Sequence, residues 1–220
     1  MTHRRGWVLP ALAVALLLAA CSDDDGSNPT TTASSAPGAT NTIAPDDPAL
    51  SARLITAEDL PKGFAPTEDV DTTITAFCAG QDAAAGLSAD GRAIVGFTRT
   101  PPGASVIEVV FRFEDDDAAQ FVTQAEALLT SCSEVPDSTG LAFTYSPLSE
   151  PVAATLEGVD SSAGRFGTSV GSGGLAVEIA VLQQGDLGAL VAVLGLDEPR
   201  ADLDALASTA FTAAIEGLVR

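Results

Sequence analysis

The 220-residue chain has one histidine, His3, and one tryptophan, Trp7, both within its first ten residues. Everything after them lacks an imidazole, the side chain that most often serves as general base near neutral pH. Lysine and tyrosine are as scarce, one each at Lys62 and Tyr145. Positive charge is rare altogether: 10 Lys and Arg face 30 Asp and Glu, for a net charge of −20. So acidic a surface argues against nucleic-acid partners and against flat adsorption on anionic lipid, since both reward positive charge. No apolar run reaches the roughly 20 residues of a bilayer-spanning helix. The longest, residues 7–20, has 14.

What stands around that run is informative. Arg4 and Arg5 precede it, and Leu18-Ala19-Ala20-Cys21 ends it. A basic start, a short apolar core and small residues before a cut site are the proportions of a secretory signal peptide, here residues 1–20. The Leu-Ala-Ala-Cys box resembles the bacterial lipoprotein signal. That resemblance implies a diacylglycerol on the Cys21 sulfur, cleavage just before it and acylation of the new amine, with palmitate as an expected acyl chain. A thiol suits this attachment because thiolate is the strong nucleophile available near neutral pH. Two or three buried acyl chains, at ~0.8 kcal/mol per methylene, anchor a protein stably. The expected place is therefore the extracytoplasmic face of the cell membrane, with the membrane as partner through the lipid. Cleavage removes Arg4 and Arg5 and no acid, leaving eight basic residues against 30 acids and a net charge of −22.

Residues 21–49 read as the lipidated cysteine and a disordered tether. They are rich in Ser, Thr, Ala, Pro, Gly and Asp, and too poor in large apolar side chains to offset the entropy of ordering. Residues 50–220 make one domain large enough for a real core. Two cysteines remain in it, Cys78 and Cys132. Outside the cytoplasm a disulfide is the default. It would close a loop of about 55 residues, worth ~4 kcal/mol in the chain-entropy model. Two buried free thiols are the alternative.

The domain alternates strand and helix patterns. Thr56 and Asp59 resemble a capping box that Pro61 stops after one turn. Residues 72–77 form a short β-branched strand. In 92–99, Ala93, Val95 and Phe97 share one face. After the Pro101-Pro102-Gly103 turn, Ile107, Val109, Phe111 and Phe113 point one way and Glu108 and Arg112 the other, which predicts a hairpin with one buried face. Residues 114–117 are four acids placed to favour a helix start. Ala118, Phe121, Val122, Ala125, Leu128, Leu129 and Cys132 then follow at helical spacing. Strands are predicted at 141–145 and 164–170, and a hairpin of 175–182 and 187–196 turns at Gln184-Gly185-Asp186. Residues 187–196 are apolar on both faces, as in a central strand covered on each side. Glu198-Pro199 opens a last helix with Leu203, Leu206, Ala207, Ala210, Phe211, Ala214 and Leu218 inward. The fold class is α+β, a single antiparallel sheet with two main helices packed on it.

Chemical motifs are weak. Gly167-Thr168-Ser169-Val170-Gly171 matches the G-x-S-x-G nucleophile elbow, but that motif needs a strand-to-helix turn and a histidine base. The pattern here runs from strand to strand, and only His3 exists. Gly171-Ser172-Gly173-Gly174 precedes no helix and reads as a hairpin turn. The acids at 114–117 lack the spacing and glycine of an EF-hand. No catalytic residues, metal ligands or cofactor are assigned.

One resemblance covers roughly residues 50–220. The stretch LITAEDLPKGFAP, residues 54–66, comes first, followed by Cys78, a hairpin, and AAQFVTQAEALLTSC, residues 118–132. Together they resemble the extracytoplasmic sensor domain of the mycobacterial PknH kinase and the free-standing lipoproteins that share it. Ala118, Phe121 and Cys132 match the family's helix pattern, and Cys78 stands as the cysteine partner it implies. Leu129 occupies a position where the family often has tryptophan. The resemblance implies an antiparallel sheet with helices and a ligand groove. The expected function is a non-catalytic anchored domain that binds or senses a small or apolar ligand of the envelope. The alternative is a protein-interaction or envelope-assembly factor with no pocket.

Overall fold

In a computed structural model, which describes residues 46–67, 76–77, 81–99, 103–131, 146–147, 150–170 and 173–220, the strongest alternations become the longest strands. These are β4 (Ala89–Arg99), β5 (Gly103–Phe113), β7 (Asp160–Val170), β8 (Gly173–Gln184) and β9 (Leu187–Leu196). Short pairings complete the set: β1 (Ala65–Pro66), β2 (Ala76–Phe77), β3 (Gln81–Asp82) and β6 (Ser146–Pro147). The helices are α1 (Asp117–Ser131) and α2 (Arg200–Val219), with one 3-10 turn at Leu50–Arg53.

Among the described residues the main sheet has the order β1-β4-β5-β9-β8-β7-β6, antiparallel throughout. β2 and β3 form a separate ribbon. The β8–β9 hairpin closes through Gly185-Asp186, and Gly185 supplies the positive φ (61°) that a two-residue loop demands. The outermost strands are two residues long and each contains a proline, and among the described residues β6 pairs with only Phe166 and Gly167 of β7.

The sheet is covered on both faces, as the apolar alternation of β9 predicts. Ala189, Val191 and Val193 point to the α2 side, together with Phe97, Val106, Val110 and Leu182. Leu190 and Ala192 point to the α1 side, with Val109, Phe111, Phe113 and Ile179. Phe111, Phe113 and Phe121 form a ring cluster there, with centroids 5.2–5.9 Å apart. β9 can lie beneath them because Gly188 has no side chain. A Cβ there would fall 2.6 Å from the Phe113 ring.

The β4–β5 hairpin corrects its sequence reading. One buried face was expected, with Glu108 turned outward, yet Ala104, Val106, Glu108 and Val110 are all at most 3 % exposed. The cover comes from far along the chain. α2 lies over this face, and so does an arm formed by residues 50–64, whose Leu50, Leu54, Ile55, Leu60 and Phe64 join the same core. α2 is consequently buried on two sides, with Ala213, Ile215 and Gly217 added to the expected stripe. At Gly217 the Arg53 carbonyl oxygen occupies the place a Cβ would take.

Other expectations shift in detail. Residues 56–59 form a turn rather than a helix, in which the Asp59 carboxylate accepts from the Thr56 N–H (2.7 Å) and hydroxyl (2.8 Å). The acids before α1 act across the chain as well as on the helix: Asp117 accepts from the Ser88 N–H at 2.6 Å, fastening the loop before β4 to the helix start. Asp46 and Asp47, ahead of residue 50, pair with Arg92 and Arg112 at 3.1 and 2.6 Å. Residues 72–75 and the 141–145 strand lie outside the described residues, as do Cys21, Cys78 and Cys132.

Candidate functional site

Two places in the fold depart from an ordinary apolar core. The first is the α2 face. Glu108 on β5 pairs with Val191 of β9, and Glu178 on β8 pairs with Val193, so β9 runs between two glutamates that point the same way. Both are 0 % exposed. A buried carboxylate is costly unless it is hydrogen-bonded and paired. Each of these accepts one backbone N–H from a strap lying over the sheet. Ile55 of the arm donates to Glu108 Oε2 at 2.7 Å, and Val152 donates to Glu178 Oε2 at 3.2 Å. Val152 belongs to a second strap, residues 150–159, whose Ala154 and Val159 are buried in the same core.

Their electrostatic surroundings differ. Glu178 faces Arg165 of β7, with Nε 3.1 Å from Oε1. The pair is close yet poorly aligned for a hydrogen bond, so charge rather than directional bonding holds it. Arg165 also reaches Asp204 of α2 at 2.8 Å. Burial raises the Glu178 pKa, and the Val152 N–H and the Arg165 charge oppose that rise. Glu108 takes part in no ion pair among the described residues, and its Oε1 is buried without a hydrogen bond. Burial pushes its carboxyl up to about 8. The Ile55 N–H works against the rise, Asp59 adds to it and Arg220 lowers it. Burial thus favours the neutral carboxylic acid form of Glu108. Sealed from solvent, it meets no substrate, and what it can do is hold or lose a proton.

The second place is on the α1 face. α1 runs from Gly188, where Phe121 packs, to β7, where Leu129 lies against Gly164. Beyond it, at the other end of β9, register brings together Ile107 and Ala192, then Ser105, Leu194 and Val177, then Gly103, Leu196 and Leu175. Ile107, Leu194 and Leu175 are only half-buried, and Leu196 is 44 % exposed. Three strands at about 4.8 Å spacing make a shelf on the order of 10 Å across. In a chain with 30 acids, these paired positions carry no charge.

Of the assigned sequence features, Cys21, Cys78 and Cys132 lie outside the described residues. The G-x-S-x-G stretch starts at Gly167 in β7, and its strand pairs directly with β8, so no helix follows the serine. Among the described residues no three His, Cys, Asp or Glu are grouped to hold a metal ion, and no helix is long and apolar enough to cross a membrane. Sequence reading missed Glu108, Glu178 and Arg165. The available signal was a lone glutamate within an apolar run, as in Val106-Ile107-Glu108-Val109-Val110 and Val177-Glu178-Ile179.

No protein-family model matches the chain, and no curated protein matches it. Among solved structures it is similar to the crystal structure of the extracellular domain of PknH from Mycobacterium tuberculosis. The identity is 16 % and the TM-score 0.51, over 76 % of this chain and 94 % of that one. The two share a fold.

Proposed function

We propose that the chain is a non-catalytic, extracytoplasmic binding domain, anchored through lipid on Cys21, that seats a small or apolar ligand on the shelf of Ile107, Leu175, Leu194 and Leu196. The observation carrying the ligand reading is that shelf: half-exposed aliphatic side chains grouped on an otherwise covered sheet, where apolar surface is normally buried. The extracytoplasmic placement draws support from the signal-like N-terminus and from the fold shared with an extracellular domain.

Native mass spectrometry of protein from its own host, with uptake of the dye N-phenyl-1-naphthylamine, tests the shelf. A co-purifying apolar molecule and dye binding are expected in wild type, and both are lost in Leu194→Arg. Absence of both in wild type rejects the ligand. The anchor is tested separately: radiolabelled palmitate joins wild type and not Cys21→Ser. Equal labelling of the two rejects the anchor and leaves the shelf untouched.

A further inference from the structure

The two buried glutamates each hold a strap by one N–H, yet among the described residues only Glu178 has an ion-pair partner. Arg165 is a permanent cation, so ionised Glu178 retains a partner. Among the described residues Glu108 has no ion pair of this kind. Val95 of β4 and Val191 of β9 flank it across the ladder. From the arm Asp59 faces it, and from the end of α2, Arg220. The remaining cations near this face are engaged: Arg53 of the arm donates to the Leu218 carbonyl at 2.9 Å, Arg112 of β5 is tied to Asp47, and Arg99 of β4 is tied to Glu198 at 2.9 Å.

We propose that Glu108 is a proton-operated latch on the arm of residues 50–64: with its proton bound it holds the arm against the sheet and α2, and on losing that proton it releases the arm. The ligand is the proton itself, and the step is a simple dissociation to water. The geometry supplies the coupling. Glu108 Oε2 takes the Ile55 N–H from within the arm, while Oε1 is buried without a hydrogen bond. Ionisation therefore places an unpaired charge in a dry space, and lifting the arm is the smallest movement that lets water reach it. The arm can move separately from the sheet. It is tied to the sheet at its two ends, by β1 just past it and by Asp46 and Asp47 on Arg92 and Arg112 just before it; between them it is held by the apolar contact of Leu50, Leu54, Ile55, Leu60 and Phe64 and by the bond from Arg53 to the Leu218 carbonyl. Released, its 15 residues form a loop tethered to the sheet at both ends. The latch thereby bares the α2-side face of β5 while both ends of the arm stay on the sheet. It does not depend on the shelf, which is on the opposite face.

Hydrogen exchange of the purified protein by mass spectrometry, corrected for intrinsic pH dependence, tests the latch. From pH 6 to pH 9 the opening equilibrium of the arm is expected to rise about a hundredfold, since the carboxyl titrates near its ordinary value once undocked. Amides of β5 and β9 keep their protection. In Glu108→Gln the arm stays protected at both pH values. In Asp59→Asn, which removes a negative charge facing the latch, ionised Glu108 is better tolerated under the docked arm, so the rise in arm opening from pH 6 to pH 9 is smaller than in wild type. Equal arm protection at the two pH values in wild type overturns the proposal, as does an arm in Glu108→Gln that opens like wild type. Simultaneous opening of β5 and β9 overturns it too, because that would be global unfolding. Should Glu108→Gln fail to fold, the wild-type series and Asp59→Asn decide, and a pH 6 to pH 9 rise in the latter as large as in wild type rejects the latch.

Discussion

Arg165→Met removes the cation beside Glu178 and retains much of the apolar stem. Arg165 is 5 % exposed in its side chain and Glu178 is 0 %, so the change leaves a carboxylate stranded in the core. Breaking such a pair typically costs 3–5 kcal/mol. The protein has a cheaper escape, which is to fold with Glu178 protonated. Holding that proton at pH 7 against an ordinary pKa of 4.5 costs about 3 kcal/mol, and at pH 5 about 1 kcal/mol. The variant should therefore lose about 3 kcal/mol at pH 7 and distinctly less at pH 5. Adding Glu178→Gln should restore stability to within about 1 kcal/mol of wild type, because the stranded charge is gone. Urea unfolding followed by far-UV circular dichroism measures this. Fluorescence is a poor probe here, since the only tryptophan is Trp7. Equal losses at the two pH values, or a double variant as unstable as the single one, would refute the assignment of Arg165 as counter-charge.

Further outcomes follow from the same face. The Glu108 pKa is raised on folding, so the folded state binds the extra proton. Its contribution is fully present below pH 4.5 and is lost as pH rises through about 8. Relative to Glu108→Gln, wild type should lose about 3–4 kcal/mol between pH 5 and pH 8, read from paired urea titrations; parallel pH profiles would contradict this. Gly217→Ala should destabilise by about 1–3 kcal/mol despite alanine's better helix propensity, because its Cβ meets the Arg53 carbonyl oxygen. A thermal melt in which the alanine variant is the more stable would show that the arm does not pack there.

Much of the fold was legible because its signals are local. The alternation of residues 92–99 and 106–113 marks β4 and β5, and the Gly185-Asp186 turn fixes the β8–β9 register. The two-sided apolar character of 187–196 correctly placed β9 in the middle of the sheet. The stripes of α1 and α2 could be read at 3.6-residue spacing, although the second buried side of α2 could not. The candidate sites were largely hidden. Leu194 and Leu196 look like core residues in any window, and their partial exposure depends on where α1 ends over β7. Glu108 looks like the solvent side of an amphipathic strand.

The chain by itself determined its five long strands, the turn between β8 and β9 and its two helices, because these depend on backbone preferences and side-chain periodicity within a few residues, whereas the two-residue pairings β1, β3 and β6 carry no such periodicity. Its three-layer arrangement decided the rest. Whether a glutamate at position 108 is wet or dry depends on Ile55, 53 residues earlier, and on a helix that begins only at Arg200. Burial by distant segments is a property of packing, and with it come the proton that Glu108 holds and the cation that Glu178 requires.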